Sequence, residues 1–278
     1  MLKLKNLIIT SWGLRDYVLF FLIISSILIS IFLIPQNIKS SFILYTETPS
    51  VLSIFLSNFT HTDVNHLKAN IVTYYFIAFL IFNVETKKNI FYRASPFIFI
   101  VLPIFSSLLI IYLLPNLKTV QGFSAIVSGL FGYFLYSVCN YIRNIYKVKI
   151  TSSFFWFLLM INFMILIIFN GWFHLLIPVT AALLFFSYQS RTDIKNISRK
   201  IKLKEREVLK LKGFEKYYRM YLFIFSLLAL FYLPSLIPAN VIMGTSVINT
   251  PAHYFGYLFG VMIPLFIGKF TKKMERKN

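Results

Sequence analysis

Apolar residues in this chain gather into long blocks instead of alternating with polar ones. From Val18 to Leu33, for example, only serine interrupts the aliphatic and aromatic run. Similar blocks fall at about 17–34, 66–84, 97–114, 123–141, 153–169, 173–189, 220–236 and 252–269, each near the ~20 residues that cross a hydrocarbon core as a helix. Backbone polar groups must be satisfied internally in lipid, and these blocks are too long for barrel strands, so helices are expected. The expected fold class is all-α: a polytopic membrane helical bundle of about eight transmembrane helices in one membrane domain, residues 1–278. Only Asn170, Gly171 and Trp172 separate the fifth and sixth blocks. Those three residues make a tight turn if both blocks cross, or interrupt one long element.

Composition supports the membrane reading. The 278 residues are 58% hydrophobic and 13% charged, about half the charged share of a soluble domain. The net charge of +19 raises nucleic acid as a partner, but the basic residues sit between the apolar blocks and at the chain ends. With the amino terminus inside and the blocks alternating, inner segments collect all but three of the 28 Lys and Arg residues. Lys39 and Lys118 fall outside, and Lys68 near the start of the second block. That bias predicts a multi-pass protein of the cell membrane with both termini cytoplasmic, and no nucleic-acid partner. The first block ends in ISIFLIPQN, without the small residues of a cleavage site, and reads as a retained helix. The single cysteine, Cys139, excludes an intrachain disulfide framework or a cysteine-rich zinc site.

Two connecting segments stand out. Residues 190–219 form a basic cytoplasmic linker that mixes Ile, Leu and Val with dense positive charge. It reads equally as a helix on the anionic inner leaflet or as a solvated connector. The outer segment from Ile34 to Asn65 is long and weakly charged, and its FILY and VLSIFLSNF patches suggest contact with the interface or partial insertion.

Polar groups at membrane depth are costly unless buried in protein or wetted by a cavity, which narrows the functional candidates. In HTDVNHLKAN, His66 and Asn70 are four residues apart and share one face of the second helix; His61 precedes them. The cluster reads as a pair of catalytic hydrogen-bond donors, as a helix-start network, or as a metal site, for which no third ligand follows at a convincing spacing. In QGFSAIVSGLFGY, Gly122 accepts a turn or a close approach that a larger residue obstructs, and Ser124 lies at a helix start. There, free amides and the positive helix end favour an oxyanion beside the serine. Gly129 and Gly132 suit close helix packing. In PAHYFGYLFG, His253 is followed by Gly256 and Gly260, which would let its helix approach the serine helix closely enough for the imidazole to take the Ser124 proton. His174 is a rival base from a block of the same orientation, although Pro178 and an outer turn beside it favour a structural role. No Asp or Glu has an obvious place behind either histidine, which points to a dyad instead of a triad. Glu85, flanked by Lys87 and Lys88, suits anchoring.

Taken together, His66 and Asn70 in HLKAN, Gly122 and Ser124 in GFSA, and His253, Gly256 and Gly260 in AHYFGYLFG resemble the rhomboid family of intramembrane serine proteases, over roughly residues 17–267. The resemblance implies a rhomboid-like core with Ser124 as nucleophile and His253 as base. It also implies an oxyanion hole from His66, Asn70 and the Ser124 amide, with His61, Gly122, Gly256 and Gly260 in support. Glu85 matches an acidic residue at the far end of the second helix. The implied reaction is hydrolysis of a peptide bond in or near a transmembrane helix of a protein substrate, in the lipid bilayer, without cofactor or metal. A noncatalytic rhomboid-like binder or chaperone of membrane proteins is the alternative; the sequence carries no signal for an oligomeric state. Two features depart from the simple bacterial pattern. An extra pair of spans separates Ser124 from His253, and Ser128 stands where many members carry a tyrosine against the catalytic imidazole.

Overall fold

The computed structural model describes residues 12–115, 119–209, 213–231, 242–243, 246–247 and 250–275. Several basic residues used above, including Lys3, Lys5, Lys118, Arg276 and Lys277, lie outside the described residues. Among the described residues, six helices are long and apolar enough to cross a membrane. They are α1 (Leu14–Leu33), α3 (Val64–Val84), α4 (Lys88–Leu113), α5 (Ser124–Ile145), α6 (Ser152–Asn170) and the Pro251–Gly268 stretch of α10 (Thr250–Glu275). The chain is a multi-pass membrane protein, mostly helical.

The expected set of about eight spans is thus matched only in part. Block 173–189 becomes a single 3-10 turn, Phe173–Leu175, followed by α7 (Leu176–Gln189). At 14 residues α7 is about 21 Å long, too short to cross alone. It bends by 66° into α8 (Arg191–Leu209), and the two count together as at most a seventh, broken span. Block 220–236 overlaps α9 (Phe214–Phe231), whose first two turns carry Glu215, Lys216 and Arg219; residues 232–236 lie outside the described residues. Linker 190–219 is helical over α8, and residues 210–212 are outside the described set. Between α6 and α7, Gly171 adopts φ +67°, a left-handed cap suited to glycine, so the fifth and sixth blocks are separate helices.

The described residues form two compact units, and α3 and α5 each contribute to both. One unit holds residues 80–86, 134–209 and 213–231. Within it α6 packs along α7, with Trp156 stacked on Phe186. Hydrogen bonds between side chains add to the buried apolar packing of Leu80, Ile81, Phe82 and Leu135. Ser137 donates to the buried Glu85 at 2.9 Å, Asn144 to Thr86 at 2.6 Å, and Tyr218 to Asn83. Glu85 is thereby tied to α5 through Ser137.

The second unit holds the described residues of 12–79, 87–133 and 242–275. Here α4 begins at Lys88, nine residues before the expected block. Its first turns bury Ile90, Phe91 and Ala94, while Lys88 pairs with the buried Asp16 and Tyr92 donates to the same carboxylate. A π-helical segment, Phe97–Val101, ends two residues before Pro103. A proline cannot donate to the helix ladder and crowds the carbonyl one turn back, which the wider turn relieves.

Segment 34–65, expected on the outer side, folds onto protein. Strand β1 (Leu44–Tyr45) pairs antiparallel with β2 (Thr119–Val120), Leu44 opposite Val120, and Thr46 donates to the Pro115 carbonyl at 2.8 Å. Leu44, Ile110, Val120, Ala125 and Ala252 form a buried cluster joined by Ile54 of α2 (Val51–Leu56). Asn58 Nδ2 donates to the Pro103 carbonyl and to Ser107 Oγ, at 3.2 and 3.0 Å. Only part of the segment keeps the free apolar surface expected of an interfacial loop, notably Val51, which is 89% exposed. Strands β3 (Ile242–Met243) and β4 (Ser246–Val247) make a short antiparallel pair ahead of α10.

Candidate active site

Three helices of the second unit present polar side chains from their first turns. Ser124 is the first residue of α5, His66 the third of α3, and His253 the fourth of α10. His253 Nε2 lies 2.7 Å from Ser124 Oγ, a hydrogen bond across 129 positions of sequence. Both residues are half-buried, so the pair is neither sealed in the interior nor freely exposed. His174, the rival base, is exposed on its 3-10 turn; the ring bonded to Ser124 is that of His253.

Glycine makes this approach possible. A Cβ on Gly256 would collide with the Ala125 carbonyl, one on Gly260 with the Gly129 carbonyl, and one on Gly132 with the Tyr257 carbonyl. The α5 and α10 backbones therefore touch directly, in the manner of small-residue packing in membranes. Every contact lies within two turns of Ser124 or His253, so the packing fixes the separation of the two side chains.

The turn before α5 is equally constrained. Gly122 has φ +129°, a conformation that side-chain-bearing residues rarely adopt, and a Cβ there would sit 2.9 Å from His66 Cε1 and 3.1 Å from His66 Nε2. The His66 ring edge thus lies against the turn that leads into Ser124. The Gly122 N–H donates to the Ser57 carbonyl at 2.9 Å. As the first two residues of α5, Ser124 and Ala125 carry backbone N–H groups with no partner inside the helix.

His66 is held from below by its own helix start. Asp63 Oδ1 accepts from the N–H groups of Asn65 and His66, both at 2.9 Å, acting as the N-cap of α3. The His66 amide and the Thr62 hydroxyl hold the Asp63 carboxyl below the usual carboxylate range. Thr62 Oγ1 donates to Asp63 Oδ2 at 2.8 Å and lies 3.3 Å from His66 Nδ1. Asn70 uses one amide hydrogen on the His66 carbonyl at 3.1 Å, which leaves its second for another acceptor. One turn further, the buried Tyr74 meets Phe123 edge to face at 5.5 Å, and Phe59 meets Phe123 at 5.6 Å. This aromatic packing seats the α3 face of His66, Asn70 and Tyr74 against the residue that precedes Ser124. Asp63, Phe59 and Tyr74 were not among the sequence candidates. Asp63 had a readable signal, an N-cap residue type three positions before His66, whereas the aromatic contacts join distant segments and leave no local pattern.

His61 is 1% exposed, packs edge-on against His66 at 5.0 Å, and neither ring nitrogen makes a full hydrogen bond among the described residues. Burial, helped by the nearby His66, pushes its pKa from 6.5 down to about 4. With the folded pKa below the unfolded one, the unfolded chain takes up a proton first as pH falls. Stability is then level above pH 6.5 and declines between 6.5 and about 4, by roughly 3 kcal/mol for this group. Thermal unfolding from pH 7.5 to 4 should show that decline in the native protein and a flatter profile in His61→Phe; equal slopes would contradict the assignment. Among the described residues no three His, Cys, Asp or Glu side chains converge as a metal ion requires.

Ser128 is buried one turn after Ser124; beside it, Gly129 faces Leu102 and Ile98 of α4 as well as α10. No family model, no curated protein and no solved structure matches this chain.

Proposed function

We propose that this chain is a rhomboid-type intramembrane serine endopeptidase that cleaves peptide bonds in or near the transmembrane helices of other membrane proteins. One observation carries the reading: an imidazole and a serine hydroxyl, 2.7 Å apart, in the first turns of two helices packed glycine to backbone. A serine is a weak nucleophile until a positioned base accepts its proton. No such contact is needed to hold two apolar helices together.

In the proposed reaction Ser124 Oγ attacks the carbonyl carbon of the scissile bond while its proton passes to His253 Nε2. The carbonyl oxygen becomes an oxyanion, met by the Ser124 N–H, the free Asn70 amide hydrogen and His66 Nε2. Donation by His66 requires a proton on Nε2. The ring carries one as the neutral Nε2–H tautomer, in which Nδ1 bears no hydrogen and the Thr62 hydroxyl keeps its own on Asp63 Oδ2. Collapse of the adduct breaks the C–N bond, and the leaving amine takes the proton from His253. A water then attacks the acyl ester, losing its proton to His253, and Ser124 recovers it as the carboxyl product leaves. His253 acts without a carboxylate behind it, as a dyad. In this reading the membrane core is rhomboid-like with about eight spans, α9 and the broken α7–α8 pair supplying the extra ones, and both termini face the cytoplasm.

The full-length protein reconstituted in bilayers should cleave a panel of single-span proteins bearing small residues near the outer end of their helix. His66→Ala should lower kcat about 100-fold with little change in KM, because an oxyanion donor acts mainly in the transition state. If native protein cleaves none of the panel yet binds some of its members, and Ser124→Ala binds them equally, the chain is a noncatalytic binder.

A further inference from the structure

The loop between α5 and α6 carries a second polar constellation. Val148 and Ile150 are buried and alternate with Lys147 and Lys149, which are exposed. Lys147 takes φ +52°, a left-handed conformation uncommon for a residue with a side chain. The loop is pinned to α8: Asp193 accepts from the Thr151 N–H at 2.8 Å and from Thr151 Oγ1 at 2.7 Å. That carboxylate is buried and committed to the loop.

Asn196, Arg199, Lys200 and Leu203 follow at helical spacing along the facing side of α8, and with Lys147 and Lys149 they line a cavity of about 370 Å³. That volume is at the lower end of small-molecule sites. Four cationic side chains converge on it, no acidic residue lines it, and none of the four has an ion-pair partner among the described residues. Like charges gathered on a pinned framework repel one another, and an anion in the cavity turns that cost into attraction. Leu203, 49% exposed, adds an apolar edge. The loop follows α5 and leads into α6, both long enough to cross a membrane, so it belongs at the bilayer boundary, where lipid phosphates are concentrated.

We infer that this pocket is a binding site for a phosphate-bearing anion, with Lys147, Lys149, Arg199 and Lys200 as the charged contacts, Asn196 as a neutral donor and Leu203 at the rim, where a lipid's acyl chain would lie. The phosphate is that of a phospholipid headgroup or of a free ion. The site is independent of the proposed proteolysis.

Full-length protein in a neutral detergent is titrated with dihexanoyl phosphatidic acid, dihexanoyl phosphatidylcholine and inorganic phosphate, reading the thermal unfolding midpoint and the bound adducts by native mass spectrometry. Phosphatidic acid should raise the midpoint and remain bound at concentrations where phosphatidylcholine does neither. Lys149→Gln/Arg199→Gln should weaken that binding about tenfold or more, through loss of two charge-assisted contacts. Lys195→Gln/Lys202→Gln, which removes equal charge from the same helix outside the pocket, should stay within about twofold of native. Equal protection by inorganic phosphate would assign the site to the free ion, and weak protection by it to the headgroup. Equal losses in the two variants, or no preference for the anionic lipid, would overturn the inference.

Discussion

Replacing Ser124 with alanine is expected to reduce cleavage of a single-span substrate to background, a loss of about a thousandfold or more, while the protein stays folded. The size follows from the role: without the hydroxyl no acyl-enzyme forms, and the remaining donors of Ser124, His66 and Asn70 stabilise an oxyanion that nothing generates. The substitution is small and its site half-buried. Ser124 stands inside the helix as its first residue, where alanine is at least as good a helix former as serine. Unfolding midpoint and yield should therefore match native, and a variant that retains cleavage would remove Ser124 from the chemistry. His253→Ala should lose comparable activity, since members of a nucleophile and base pair act as a unit.

Gly260→Val should be the most damaging change outside the polar residues. A Cβ at 260 would overlap the Gly129 carbonyl, a backbone atom that cannot swing aside, so α5 and α10 must separate. Overpacking of this kind costs about 1–3 kcal/mol and more when backbone has to move. The same displacement carries His253 away from Ser124. A shift of about 1 Å between reacting groups lowers the rate about a hundredfold. Both the unfolding midpoint and the cleavage rate should fall together. Gly13→Ala makes the contrast: a Cβ there meets only Asp16 Oδ2, at 3.9 Å, and both readouts should stay near native. Equal tolerance of the two substitutions would mean that glycine contact does not set the spacing of the helices.

The features legible in the sequence were those with a local signature. Long apolar runs announced α1, α3, α5 and α6 within a few residues, because hydropathy and the length of a crossing are local properties. The residues of the candidate site were legible for a related reason. His66 with Asn70, Gly122 with Ser124, and His253 with its glycines are spaced to share a helix face or turn, and the structure brings Ser124, His253, the Gly122 turn and the glycine contacts together. The early start of α4 was hidden because KNIFYR is charged and amphipathic, and its burial depends on Asp16, 72 positions away. The bend at Ser190 was hidden as well: block 173–189 has the composition of a span but only 14 residues of α-helix. Pairing of Leu44 with Val120, the seating of Phe123 on Phe59 and Tyr74, and the basic cavity between the 147–149 loop and α8 all join distant segments. Such contacts leave no period in the chain.

The central claim is that the hydroxyl at position 124 is activated by the imidazole at position 253. Reaction of the folded, bilayer-reconstituted protein with a fluorophosphonate, followed by peptide mass mapping, tests it directly, because such reagents modify a serine made nucleophilic by a neighbouring base. The account predicts a single adduct on the peptide containing Ser124, abolished in His253→Ala under the same exposure. An unmodified Ser124 in folded protein, or an adduct there that persists without His253, would contradict it.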